Sequence, residues 1–214
     1  MGAVVSGLTR GAWRVVVVDD GSADDTAEAA RGAGATVLRH ILNLGQGAAL
    51  QTGIDFAVAE GAERIVTFDA DGQHDPADIP ALLAALDAGA DVALGSRFLG
   101  AMEGVSRPRA LLLRIAVAVS NTISGVHFSD AHCGLRALRA SVAPALRITQ
   151  ERMAHASELL RNIRTQRLRV VEVPITVRYT AYSRSKGQGV LQGLRILFDY
   201  FLRRSGRPPR ERPC

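Results

Sequence analysis

Two carboxylates, Asp69 and Asp71, stand between an apolar run (Arg64–Phe68, RIVTF) and a glycine, Gly72. At a strand end, just before a turn, both side chains can swing toward one hard cation. Mg²⁺ or Mn²⁺ takes oxygen ligands, keeps waters and bridges phosphates. Such an ion offsets the charge that builds on a departing diphosphate. An aspartate that only caps a turn leaves the same local pattern, so the alternative stays open at this point. The later positions do not match an EF-hand loop.

Two further clusters carry similar potential. Asp19-Asp20-Gly21-Ser22 follows four valines, Val15–Val18. A carboxylate there can accept hydrogen bonds from a base or ribose, or Asp20 and Ser22 can simply cap the next helix. Asn43-Leu44-Gly45-Gln46-Gly47-Ala48-Ala49 opens another helix. Its small residues let backbone approach a ligand, and a helix N-terminus favours anions. It lacks the Lys-Ser/Thr pair of a P-loop and the third glycine of a dinucleotide fingerprint. A tight strand-to-helix turn is the alternative reading.

These clusters need elements to hold them. The patterning predicts strands at Arg14–Asp19, Thr36–Arg39, Arg64–Phe68 and Asp91–Leu94. Helices are expected at about Ala23–Arg31, Ala48–Glu60 and Pro76–Asp87. Ser22 and Asp25 resemble a capping box for the first helix. Strands alternating with helices imply βαβ units and a parallel sheet, with ligands beyond the carboxyl ends of the strands. In the second half, Pro108–Ser124, Met153–Arg164 and Val190–Arg204 read as helices. Leu168–Tyr179 reads as a long strand, made an edge strand or a bent one by Pro174.

Together the motifs occur in a familiar order. Val18-Asp-Asp-Gly-Ser22, Asn43-x-Gly-x-Gly-x-Ala49, Phe68-Asp-Ala-Asp-Gly-Gln-His-Asp-Pro76 and Gly95-Ser-Arg97 closely resemble family 2 glycosyltransferases. The resemblance is greatest to the branch of dolichol- and polyprenyl-phosphate sugar synthases and spans roughly residues 14–204. Asp130-Ala-His-Cys-Gly-Leu-Arg136 is similar to that branch's acceptor motif. Met153–Glu158 and Arg178–Gln188 look like its later motifs. The resemblance implies an α/β, GT-A fold: a Rossmann-like, mostly parallel sheet flanked by helices, with a C-terminal strand and amphipathic helix. One domain over residues 1–206 and a basic tail over 207–214 are expected.

The resemblance also implies roles. Asp19, Asp20, Ser22, Asn43 and Gly47 would line the nucleotide, and Asp69 and Asp71 would hold Mg²⁺ or Mn²⁺. Gln73, Arg97, Arg136 and Lys186 would meet the phosphates of donor or acceptor, and His74, His132 and His155 are further candidates. The implied reaction is inverting transfer from a UDP- or GDP-linked sugar to a polyprenyl phosphate or cell-envelope glycan. A hydroxyl acceptor needs a general base, for which Asp130 and Glu158 are the candidates. A lipid phosphate, with a second pKa of about 6 by analogy with phosphorylated side chains, is already anionic and needs none.

Charge distribution agrees with an anionic substrate. Residues 1–133 carry 9 basic against 16 acidic side chains, a net of −7, and residues 134–214 carry 17 against 5, a net of +12. An acidic half suits metal ions, and a basic half suits a diphosphate or an anionic lipid surface. The basic half has no aromatic interleaving or reader motif for nucleic acid. Cys133 and Cys214 make no disulfide framework and no zinc spacing, which fits a reducing cytoplasm. There is no signal peptide pattern. The run Ala110–Val119 is broken by Arg114, well short of a spanning helix. A peripheral place on the inner face of the plasma membrane, through the 190–204 helix, is expected.

One family feature is missing. The pattern normally begins with a mid-sheet strand ending in Pro-x-Tyr/Phe-Asn-Glu, and nothing of that kind precedes Asp19. Neighbouring strands are then expected to expose ladder groups. A start upstream of Met1, a degenerate nucleotide-sugar-binding module without turnover, and a sheet that closes differently are the three accounts.

Overall fold

The computed structural model describes residues 1–130, 133–148 and 154–179, all within one compact unit, Met1–Thr180. Lys186, the 190–204 helix, the 207–214 tail and His132 lie outside the described residues. The elements run α1 (Gly2–Leu8), β1 (Val16–Asp19), α2 (Thr26–Gly32), β2 (Thr36–Arg39), α3 (Gln46–Ala59), β3 (Arg64–Thr67), α4 (Ile79–Asp87), β4 (Val92–Glu103), α5 (Arg107–Ser124), β5 (Arg136–Arg139), α6 (Ala154–Thr165) and β6 (Val170–Arg178). Short 3-10 turns, Pro76–Asp78 and Ala140–Leu146, lead into α4 and follow β5.

Most expected elements are present with boundaries moved by at most three residues, but β4 runs nine residues past the expected Leu94, to Glu103. The helix expected from Ala23 also starts late. It starts at Thr26, not Ala23, because Thr26 N donates to Asp24 Oδ1 at 3.1 Å. Ser22 takes no part in a capping box, and its N–H donates instead to Asp19 Oδ1 at 3.0 Å.

The strands form two sheets. β1 and β2 pair in parallel, while the second sheet has the order β3-β5-β4-β6. β4 and β6 are parallel, but β5 runs antiparallel to both β3 and β4. The pairing is therefore mixed, with β1–β2 and β4–β6 parallel and β5 inserted antiparallel between β3 and β4. β5 (RALR) carries arginines at both ends and lacks an apolar run, so nothing marked it as an inner strand.

The division of the sheet leaves two open edges. Thr36 N donates to Val15 O and His40 N donates to Asp19 O, so alternate residues of β1 face β2 and Val16 and Val18 face away. On β3, the bond from Ala140 N to Glu63 O sets residues 63, 65 and 67 toward β5, leaving Arg64 and Val66 on the far edge. Neither edge has a strand partner among the described residues.

The four-stranded sheet separates two cores, as the two-residue alternation of strands requires. Ala93, Leu135, Ala137, Val173, Ile175 and Val177 face Ile79, Leu82 and Leu86 of α4, with Leu8 of α1. Val92, Leu94, Leu138 and Ile65 face Ile54 of α3 and Leu159, Leu160 and Ile163 of α6. The β4–β6 register shifts between Ser96 and Ala101. There the chains approach so closely that a side chain at Gly100 would meet the Ile175 backbone. A bulge of this kind bends a strand and re-aims its side chains, and Arg97 sits within it.

Candidate active site

The first cluster forms at the ends of β1 and β2. Asp20 Oδ1 accepts from Leu44 N at 2.8 Å and Oδ2 accepts from Gly45 N at 2.7 Å. Asp20 Oδ1 also lies 2.7 Å from His40 Nδ1, whose other ring nitrogen is 3.0 Å from the Thr52 hydroxyl. One carboxylate thus ties the 43–45 loop to β1. Burial opposes ionisation of Asp20, but the bonds from His40, Leu44 and Gly45 outweigh it and hold the carboxyl below its ordinary range. Gly45, at φ 94°, makes the turn into α3 that a side chain would strain.

Asp19 is buried. Its Oδ2 lies 3.2 Å from Arg39 Nε, near enough for an ion pair but not aligned as a hydrogen bond. Arg39 also donates to Ser22 O at 2.9 Å. Asn43 is exposed on the loop, and Gly47 is buried in the first turn of α3.

The second cluster lies just beyond β3. Asp69 is a third exposed, with His74 Nε2 3.7 Å from its Oδ2. Gln46 Nε2, from the first turn of α3, reaches Asp69 Oδ1 at 3.5 Å, the outer limit of a hydrogen bond. This contact joins the loop held by Asp20 to the Asp69–Asp71 turn. Asp71 Oδ1 accepts from Gln73 N at 3.0 Å, and Gln73 O accepts from Arg178 N at 2.9 Å. His74 packs edge-on against Phe68 and bridges Val177, and its Nδ1 is buried without a hydrogen-bond partner.

The third cluster is built on the β4 bulge. Asp130, 2% exposed, accepts from Arg97 Nε at 2.6 Å and from Arg97 N at 3.1 Å. Arg97 also donates to the Tyr179 hydroxyl at 2.9 Å. Burial works against the Arg97 charge, yet the Asp130 carboxylate outweighs it and keeps the guanidinium firmly protonated. Glu172 of β6 fastens the turn from below: Ser129 N, Ser129 Oγ and Asp130 N all donate to it, at 2.8, 2.6 and 3.2 Å.

Arg136 links the second and third clusters electrostatically. It is buried, donates to Cys133 O at 2.7 Å, and its charge is felt by Cys133, Asp69 and Asp130. Burial lowers its pKa from the usual arginine value. The neighbouring Cys133 thiol is pushed up to about 12, chiefly by burial and then by the Asp130 charge. Glu158 is buried on α6.

The structure thus brings Asp19, Asp20 and Ser22 together at one end, Asp69, Asp71 and Gln73 at the next, and Arg97, Asp130 and Arg136 beyond. His40, Gln46, Glu172 and Tyr179 were not singled out by the sequence. Gln46 and Tyr179 stand inside quoted motifs, whereas His40 and Glu172 carry no local signal. Among the described residues no group of three or more His, Cys, Asp or Glu side chains could enclose a metal ion. Two aspartates suit an ion that completes its shell with water and phosphate oxygens, as Mg²⁺ and Mn²⁺ do. They do not suit a closed tetrahedral zinc site.

A family model described as Glycosyl transferase family 2 matches residues 3–146. The chain is 39% identical over 197 residues to an uncharacterized protein of Methanocaldococcus jannaschii, covering 89% of this chain and 80% of that one. It is 31% identical over 202 residues to the polyprenol monophosphomannose synthase of Mycolicibacterium smegmatis, covering 88% and 76% respectively. A solved structure of glucosyl-3-phosphoglycerate synthase from Mycobacterium tuberculosis, in complex with Mn²⁺, UDP-glucose and phosphoglyceric acid, superposes with a TM-score of 0.64. That match has 20% identity over 98% of this chain and 76% of that chain, a likeness of fold.

Proposed function

The chain belongs to glycosyl transferase family 2 and is a glycosyltransferase of GT-A fold, and we propose that it moves a sugar from a nucleotide diphosphate to a polyprenyl phosphate. The observation that carries this reading is the reach of Gln46 to Asp69, which joins the Asp20 loop to the Asp69–Asp71 turn. The nucleotide then lies along Asp19, Asp20, Ser22, Asn43 and Gly47, with its diphosphate toward Asp69 and Asp71. A divalent cation, Mg²⁺ or Mn²⁺, held by Asp69 and Asp71 supplies the charge that offsets the leaving diphosphate.

The chain's own residues do the positioning. Asp20 clamps the loop that opens α3, so the backbone facing the nucleotide is set before the donor arrives. Arg97, half-buried, and Arg136, buried, bring two positive charges toward the side where an acceptor phosphate approaches. Asp130 is committed to Arg97 by two hydrogen bonds. That favours a positioning role for Asp130 over proton abstraction, and with it an acceptor that is already anionic. The relative from Mycolicibacterium smegmatis, named for polyprenol monophosphomannose synthesis, supports the same acceptor class. No helix among the described residues is long and apolar enough to cross a membrane.

Calorimetric titration of UDP- and GDP-sugars with and without Mn²⁺, followed by transfer assays on a short polyprenyl phosphate, tests the proposal. Asp71→Asn is expected to lose metal-dependent donor binding while keeping its fold. Donor binding by that variant as tight as the parent's removes the metal assignment. The open edges of β1 and β3 favour a second reading, a nucleotide-sugar-binding module without turnover. Metal-dependent binding with neither donor hydrolysis nor transfer supports the module.

A further inference from the structure

We propose that Gly134 is a positioning residue for the metal site: the space where its side chain would stand is the seat of the Asp69 carboxylate. This rests on the assignment of Asp69 to the cation. A methyl group built on Gly134 would lie 2.7 Å from Asp69 Oδ1 and nearer still to Cγ and Oδ2, and these are its three nearest atoms. Gly134 does not have the positive φ that favours glycine. Its backbone conformation is one any residue adopts, so the close approach of the carboxylate, rather than a turn, is what calls for glycine here.

Neither backbone can retreat to make room. Gly134 O accepts from the Thr67 hydroxyl at 2.8 Å, Cys133 O accepts from Arg136 Nε at 2.7 Å, and Leu135 O accepts from Gly95 N at 3.0 Å. Thr67 ends β3, two residues before Asp69, and pairs with Arg136. The Thr67–Gly134 bond therefore sets the spacing between the two chains just where Asp69 emerges. The atoms an added methyl meets first belong to the Asp69 side chain, which must rotate off the seat. Its rotation would pull it from Gln46 and His74.

Two measurements test this. In the full chain, Gly134→Ala is expected to keep the metal-free unfolding midpoint of the parent within a few degrees and to weaken Mn²⁺ binding by roughly 10-fold or more, the size usual when a ligand's support is lost. Mn²⁺ binding is read by electron paramagnetic resonance of the free ion in the presence of UDP. Parent-like Mn²⁺ affinity in the variant, with a parent that does bind Mn²⁺, overturns this inference alone. A parent with no Mn²⁺ affinity overturns the metal assignment and this inference with it. In the second measurement, Gly134→Ala is added to Asp69→Ala. With the carboxylate gone, the methyl is expected to enter its space, so the double variant unfolds at or above the midpoint of Asp69→Ala. A clearly lower midpoint means that the methyl meets something other than Asp69, and refutes the seat. If Gly134→Ala alone does not fold, this second comparison still decides.

Discussion

Replacing Asp130 with asparagine separates the general-base role expected from the sequence from the positioning role proposed for it. The Arg97 side chain is 12% exposed and that of Asp130 1%, with 2.6 Å between Nε and Oδ2. Breaking such a buried pair at one partner leaves an uncompensated charge and costs about 3–5 kcal/mol. A chain of this size loses about 2–4 °C in unfolding midpoint per kcal/mol, so the expected fall is roughly 6–20 °C. Thermal unfolding followed by circular dichroism measures it. Arg97→Met combined with Asp130→Leu is expected to recover much of that loss, since an apolar pair of similar volume often replaces a buried ion pair without net cost. Transfer activity should stay low in the double variant, because the guanidinium aimed by the bulge is gone. The reasoning is refuted if Asp130→Asn unfolds within 1–2 °C of the parent while turnover falls by about a thousandfold. That outcome is the signature of a general base, whose loss touches the reaction and not the fold.

Three further outcomes follow from the same geometry. The folded-state carboxyl of Asp20 is held below 3.8, so its stabilisation is present above about pH 4 and is lost as pH falls through the lower folded value. Asp20→Asn should flatten that acid limb in unfolding measured from pH 2.5 to 6 and speed amide exchange at Leu44 and Gly45; an unchanged limb would contradict the loop clamp. Cys133, with its thiol raised to about 12 and its side chain buried, should resist iodoacetamide at pH 8 until the protein is unfolded, as read by mass spectrometry of its peptide. Chelation of divalent ions should abolish donor hydrolysis, and added Mn²⁺ or Mg²⁺ should restore it; hydrolysis that persists in chelator would exclude the metal role.

The apolar runs and their periods determined the local elements. Four valines before Asp19, the RIVTF run before Asp69, and Pro76 ahead of α4 each announce an element because burial and backbone restriction act on neighbouring residues. The ends of those runs also showed which carboxylates stand at strand termini. Tertiary structure alone decided what they touch. RALR became an inner, antiparallel strand although two of its four residues are arginine, because Arg139 found the Ala90 and Leu86 carbonyls and Arg136 that of Cys133. Glu172, 42 residues beyond Asp130, holds its turn, and Gly134, 65 residues beyond Asp69, makes room for its carboxylate. Such pairings depend on which strand lies beside which, and on the gap left between them. No window of neighbouring residues contains that information, because the contacts arise only when sheet register sets distant backbones a hydrogen bond apart.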